Sequence, residues 1–278
     1  MQVLQPLRPT RPALVCAVCN QKGGVGKTTS TYHLTRAAVV AGLRVLAVDL
    51  DPQGNLTSAL SAEPLSTETP GVAHAIAPEV EYALDQVIVP TIWKNADLAP
   101  TPSLDDLATV ETRVAATTFG REQRLAVALQ PLLGDYDLVL IDNTPALGLL
   151  LINALVAADQ ALIVTQPEQW SADGLAELHR TIDLVRQYHN DRLQPIGPLI
   201  NGYRRCAQHE RIIHEELIPH YGEAAWARPD EIIPLRTDVV GYLQAGLGLD
   251  EGREAWMRLL AETYRRFVVR MLTAGGRL

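Results

Sequence analysis

The chain has 278 residues, 47% apolar and 20% charged, with a formal net charge of −8. That is the composition of an ordinary soluble protein, long enough to bury a large α/β core. The acidic total excludes whole-surface attraction to nucleic acid, and no apolar run approaches the roughly 20 residues needed to span a bilayer.

Residues 1–13 read as a flexible tail: Met1–Pro12 carries Arg8, Arg11 and three prolines but no apolar core of a signal peptide. Ala13–Cys19 reads as a strand, followed by a Gly-rich turn and a helix to about Ala41, with Gly42 as its stop. Cys16 and Cys19 lie in that strand. Side chains three apart on a strand point to opposite faces, so these thiols are expected in the core and not at a zinc or iron–sulfur centre. With Cys206 the cysteines total three, an odd number that fits a reducing cytosol.

Arg44–Val48 is the next strand, ending at Asp49. Residues 56–134 are the least regular part, rich in prolines and acids. Leu138–Ile141 is a buried strand ending at Asp142, and Ala161–Thr165 is another. A helix runs from Ser171, its cap, to about Tyr188. Ile196–Ile200 and Glu231–Ile233 are further strand candidates. Trp256, Leu260, Tyr264, Phe267 and Met271 fall on one helical face, leaving Arg258, Arg265, Arg266 and Arg270 mostly off it. The alternation predicts one α/β domain over residues 14–278, a mostly parallel twisted sheet with helices on both faces. Gln21, Asp49, Asp142 and Gln166 all end strands, and would converge on the carboxyl edge where such sheets bind ligands.

Lys22-Gly23-Gly24-Val25-Gly26-Lys27-Thr28-Thr29 joins the first strand to the first helix. The common phosphate-loop pattern would place a glycine at residue 21, where Gln21 stands. The physics survives. Glycines let backbone N–H groups wrap phosphates, and the helix offers its positive N-terminus. Lys27 would reach the β- and γ-phosphates and Thr28 would ligate Mg²⁺, which makes the chain a P-loop NTPase. Asp49 and Asp51, two apart on an extended segment, point the same way. One could orient water and the other support the metal. Asp142 ends an apolar strand in the manner of a Walker B acid on the magnesium side.

The octet resembles the deviant Walker A signature of the ParA/MinD superfamily of dimeric ATPases. Asp51-Pro52-Gln53-Gly54 resembles the second motif of the ParA family. Asp142-Asn143-Thr144-Pro145-Ala146-Leu147-Gly148 resembles its third, with Thr144 where the family has its first proline. Ile88–Thr91, Arg121–Leu125, Leu151–Leu155, Gln166–Glu168 and Ile233-Pro234 follow in family order, so the match covers nearly the whole chain from Leu14.

The resemblance implies an ATP- and Mg²⁺-dependent cytoplasmic, nucleoid-associated ATPase, slow until a partner stimulates it. Lys22 would cross an ATP-sandwich homodimer to the partner's nucleotide. Asp51 would be needed for hydrolysis, with Thr28, Asp51 and Asp142 on the metal side. Asn201 and Pro234 would lie near adenine. The dimer would bind double-stranded DNA without sequence preference and be released by a ParB-type centromere-binding protein, moving plasmids or chromosome origins. DNA contacts are expected from Arg265, Arg266 and Arg270, and secondarily from Arg204, Arg205 and Arg211. The chain resembles the short form of the family, without an operator-binding extension. Two other readings stay open: a MinD-like ATPase cycling on membranes, and an ATPase positioning a protein cluster. Tyr264–Leu272 has some of the basic amphipathic character that membrane cycling needs. Phe267 and Met271, however, continue the face begun by Trp256, as core residues would, and no stable membrane association is expected. An iron–sulfur reductase is rejected, because Cys206 lies too far beyond Asp142.

Overall fold

The computed structural model describes residues 7, 12–167, 172–221, 226, 228 and 231–278. Among them the strands are β1 (Leu14–Cys19), β2 (Val45–Leu50), β3 (Val89–Pro90), β4 (Ala96–Ala99), β5 (Leu138–Asn143), β6 (Gln160–Thr165) and β7 (Gln194–Ile200). They form one sheet in the order β3-β4-β2-β5-β1-β6-β7. Every pairing is parallel except that of β3 with β4. The central strands are apolar runs because both faces are covered, as parallel crossovers require.

The helices are α1 (Lys27–Val40), α2 (Asn55–Leu60), α3 (Val72–Ile76), α4 (Leu84–Val87), α5 (Leu104–Ala115), α6 (Arg124–Leu129), α7 (Leu149–Ala157), α8 (Ala172–Tyr188), α9 (Ala207–Arg211), α10 (Ile218–Tyr221), α11 (Thr237–Gln244) and α12 (Ala255–Ala274). A π-helical stretch, Ile212–Leu217, joins α9 to α10. Helices α1, α11 and α12 pack on one face, with Leu14, Cys16 and Val18 of β1. Helices α3, α5, α6, α7 and α8 pack on the other, with Val15, Ala17 and Cys19. The two thiols are thus free, buried and in opposite cores, as the strand geometry predicts.

The stop of α1 is a Schellman turn. Gly42 adopts φ 86°, its N–H donates to the Val39 carbonyl at 2.9 Å, and Leu43 N–H donates to the Ala38 carbonyl at 3.1 Å. On α12, Leu260, Tyr264, Phe267, Val268, Met271 and Leu272 are buried against α1 and the sheet. Each apolar side chain of this kind contributes about 1.5–3 kcal/mol of transfer free energy before the cost of ordering it. The apolar face of the C-terminal helix is therefore occupied by the core.

Two expectations change. Glu231–Ile233 is not a strand: Ile233 N–H donates to the Ile200 carbonyl at 2.9 Å, and an isolated bridge pairs Tyr203 with Pro234. Pro234 has no N–H with which to extend a ladder. Residues 56–134, read as irregular, supply β4 and α5. Ser103 caps α5 by accepting the Asp106 N–H, with Asp105 and Asp106 in the first turn and Leu107, Val110 and Val114 buried. Glu168 and the proposed cap Ser171 lie outside the described residues, as does the expected tail apart from Leu7, Pro12 and Ala13. Leu7 donates its N–H to the Ala41 carbonyl at 2.9 Å and packs beside α1.

Candidate functional site

The carboxyl ends of β1, β2, β5, β6 and β7 carry the candidate site. Between β1 and α1 the chain turns through Gly24 (φ 74°) and Gly26 (φ 94°). This left-handed region favours glycine. No side chain caps α1, so its first N–H groups open onto the loop, the arrangement that suits an anion.

Lys27 is buried, and its Nζ donates to the Lys22 carbonyl at 3.3 Å, folding the loop over its own lysine. Burial pulls its pKa down, against the opposing pull of Asp142 and Asp51. Thr28 Oγ1 donates to Asp142 Oδ2 at 2.7 Å. One turn below, Thr31 Oγ1 lies 3.2 Å from Asp142 Oδ1 and 3.0 Å from the Lys27 carbonyl. Thr31 escaped sequence analysis, although its i, i+3 spacing from Thr28 puts both on one helical face.

Asp49 and Asp142 are register partners on adjacent strands, both fully buried. Burial pushes Asp142 upward, reinforced by the charge of Asp49 and opposed by the Thr28 hydrogen bond and Lys27. Burial likewise raises Asp49, opposed by its hydrogen bonds from Thr57 and Asp51. Two carboxylates held side by side away from water are costly when charged, and a cation at their edge relieves that cost. The donor set of hydroxyl and carboxylate oxygen is the one hard divalent ions prefer.

Asp49 and Asp51 stand in different surroundings. Asp49 Oδ2 accepts from Thr57 N–H and Thr57 Oγ1, both at 2.8 Å, and its Oδ1 accepts from Asp51 N–H at 3.1 Å. It is a fastening between β2 and α2. Asp51 stands just beyond the strand, 8% exposed, with Oδ1 accepting Gln53 N–H at 3.0 Å.

Asn201, at the end of β7, donates Nδ2 to the Val25 carbonyl at 3.0 Å and accepts Gly202 N–H at 2.9 Å. Its carboxamide therefore lies against the phosphate loop. One N–H remains for a base, so the family-implied adenine contact is compatible with this position. Pro234 lines a cavity of about 590 Å³ with Tyr203, Arg205, Arg236 and Trp256, beside the exit of β7. Asn20, which the sequence did not single out, and Gln166, expected at this edge of the sheet, also bond the loop. Asn20 Oδ1 accepts Lys22 N–H at 2.9 Å, and Gln166 Nε2 donates to the Gly24 carbonyl at 3.0 Å. Gln21 donates instead to Glu177 of α8, at 2.7 Å.

The candidate DNA arginines divide. Arg204, Arg205 and Arg211 are exposed near the exit of β7 and on α9. On α12 the arginines are half-buried and engaged. Arg265 pairs with Glu262 at 3.3 Å, Arg266 donates to Thr263 Oγ1 at 3.1 Å, and Arg270 pairs with Glu231 at 3.0 Å while lying over the Trp226 ring. Arg236, exposed and stacked on Trp256 at 4.2 Å, was not anticipated.

A parallel sheet with a glycine-rich loop at its switch point and an acid on the neighbouring strand defines the class of P-loop NTPases. The family described as "AAA domain" matches residues 13–195. An uncharacterized protein, Rv1708, of Mycobacterium tuberculosis is 42% identical over 212 residues, 76% of this chain. The chain spans only 65% of the length of that relative. Sporulation initiation inhibitor protein Soj of Bacillus subtilis is 39% identical over 67% of this chain and 71% of its own. Chromosome partitioning protein ParA of Caulobacter vibrioides is 36% identical over 80% and 81%. A solved structure from Mycobacterium smegmatis, described as cobyrinic acid a,c-diamide synthase with bound ADP and magnesium, is 32% identical over 94% of both chains, with a TM-score of 0.75. The chain belongs to the ParA/Soj family.

Proposed function

We propose that this chain is an ATP- and Mg²⁺-dependent ATPase that works as a homodimer on non-specific double-stranded DNA. It would segregate a plasmid or chromosome together with a ParB-type centromere-binding partner. Residues 14–278 form the ATPase domain in this reading, and the protein is cytoplasmic and nucleoid-associated. The observation that carries it is the pairing of a buried Lys27 inside the phosphate loop with a second lysine, Lys22, on the loop's outer turn. One lysine suffices for the bound phosphates. In this reading Lys22 reaches the nucleotide of a second copy.

Within one protomer, Gly23, Gly24, Val25, Gly26, Thr28 and Thr29 present backbone N–H groups to the phosphates, and Lys27 neutralises them. Thr28 and Asp142 hold Mg²⁺, which shields the phosphate charge when bound. Asp51 orients the attacking water or supports the metal's water shell. Asn201 and Pro234 border the adenine. A bound Mg²⁺ would offset the charge of Asp142, and hydrolysis stays slow until Lys22 of the second copy and the DNA-bound partner complete the site.

Arg204, Arg205 and Arg211, at exposed positions, stand ahead of the half-buried Arg265, Arg266 and Arg270 as candidates for DNA. A MinD-like membrane cycle is less favoured, because Phe267 and Met271 are fully buried. The name of the Mycobacterium smegmatis neighbour suggests ATP-dependent amide synthesis as a rival.

The deciding experiment is light scattering of the wild type, Lys22→Ala and Asp51→Ala with ATP, with and without DNA. Wild type and Asp51→Ala should dimerise, and Asp51→Ala should stay on DNA without turnover. Lys22→Ala should bind ATP and remain monomeric. A Lys22→Ala protein that dimerises normally would remove the cross-dimer role. ATP turnover that requires a carboxylic acid and an amine donor, and is indifferent to DNA, would favour the rival.

A further inference from the structure

The phosphate loop is held from outside by carboxamides at the ends of three strands. Asn20 follows β1, donating Nδ2 to the Val164 carbonyl at 2.7 Å while its Oδ1 accepts Lys22 N–H. Gln166 follows β6 and donates to the Gly24 carbonyl, and Asn201 follows β7 and donates to the Val25 carbonyl. The packing around the last two is tight. A Cβ on Gly26 would sit 1.9 Å from Asn201 Nδ2, and a Cβ on Gly202 (φ 70°) would sit 3.1 Å from Gln166 Cδ and Nε2. The orientation of the Asn201 amide is determined twice over, because its oxygen accepts Gly202 N–H while its nitrogen donates to the loop.

A trans peptide plane turns this into a statement about the anion site. In each plane the carbonyl of one residue and the N–H of the next point in opposite directions. A donor that draws the Gly24 carbonyl toward β6 therefore turns the Val25 N–H away from β6. A donor that draws the Val25 carbonyl toward β7 turns the Gly26 N–H away from β7. Successive N–H groups facing one side are what an anion nest consists of.

We propose that Gln166 and Asn201 are positioning residues for the phosphate loop: by holding the Gly24 and Val25 carbonyls outward, they aim the Val25 and Gly26 N–H groups at the phosphates of the nucleotide. The inference rests on the nucleotide reading above. It also ties the start of the segment leading into α8, and the exit of β7, to the phosphate site through single hydrogen bonds.

Asn201→Asp and Gln166→Glu keep shape and volume but exchange the donor for a carboxylate that repels the carbonyl it faces. Fluorescent mant-ATP titration of wild type, both variants and Asn201→Ala, each with its melting temperature, tests the proposal. Wild type should bind. Each carboxylate variant should lose about tenfold or more in affinity, as for a 1.4 kcal/mol change, with melting within a few degrees of wild type. Asn201→Asp should bind more weakly than Asn201→Ala, and turnover at saturating ATP should change less than affinity. Unchanged affinity in both carboxylate variants overturns the positioning role, as does a loss that appears only together with a collapse in melting temperature. Failure of the wild type to bind mant-ATP overturns the nucleotide reading itself, and the positioning role falls with it.

Discussion

Thr28 Oγ1 donates to Asp142 Oδ2 across 2.7 Å, joining the first turn of α1 to the end of β5. Hydroxyl and carboxylate already share one point in space, so a metal held there needs little rearrangement of the protein. Mg²⁺ is expected to tighten nucleotide binding by the wild type. Thr28→Ala and Asp142→Asn should each remove most of that gain, on the order of 10-fold. Calorimetry with Mg²⁺ and with EDTA measures it, and a full Mg²⁺ effect in both variants would place the ion elsewhere.

Asp49 and Asp51 should fail in different ways. Asp49 accepts three hydrogen bonds inside the core, and its loss leaves the Thr57 donors unsatisfied. Asp49→Ala should cost about 2–4 kcal/mol of folding stability by urea denaturation. Asp51→Ala should unfold at nearly the wild-type urea concentration and lose turnover. Equal stability loss in the two variants would contradict the division of roles.

Burial holds His33 neutral and lowers its pKa to about 4, against the opposing effects of the Val239 carbonyl and Asp250. Its ordinary value is 6.5. A base whose pKa is depressed by folding contributes stability that is fully present above the unfolded value. That stability is lost as pH falls from 6.5 toward about 4, by up to about 3 kcal/mol. Urea melts across this range should show the fall, and His33→Gln should flatten it. An identical acid slope in the variant would assign the effect to other groups.

Arg270 pairs with the largely buried Glu231 and lies over Trp226. Arg270→Ala leaves that carboxylate without its partner, so the variant should lose about 3 kcal/mol or more of stability. Reduced DNA binding by it would then report a damaged fold. Arg205→Glu and Arg211→Glu, at exposed positions, should melt as wild type and still lose DNA affinity. The size of that loss should shrink with added salt in a filter-binding assay.

Much of this site was legible because its chemistry is local in sequence. The octet from Lys22 to Thr29, the acid ending β5 and the turn at Gly42 each announce themselves within a few residues. The irregular stretch hid α5, although Ser103, Asp105, Asp106 and the buried Leu107-Val110-Val114 stripe carried a readable start and face. Some features could not be read locally. The Asp49–Thr57 fastening looked like a second catalytic acid, since the closure of α2 onto β2 is a tertiary fact. Asn20, Gln166 and Asn201 each follow a strand, as many turn residues do, and only the strand order β1-β6-β7 brings them to one loop. The arginines of α12 lie off the apolar face by helical phase. Partial burial and acids at Glu262 and Glu231 nonetheless occupy Arg265 and Arg270.

Both outermost strands of the sheet contain proline: Pro90 in β3, and Pro195 and Pro198 in β7. A residue without an N–H cannot donate to a ladder at its position, which weakens each margin as a template for a strand from another molecule. Open parallel sheets carry a hazard of polymerisation through their edges, and these prolines lower it at both. Contacts between copies of this chain are thereby steered away from strand pairing at the sheet edges.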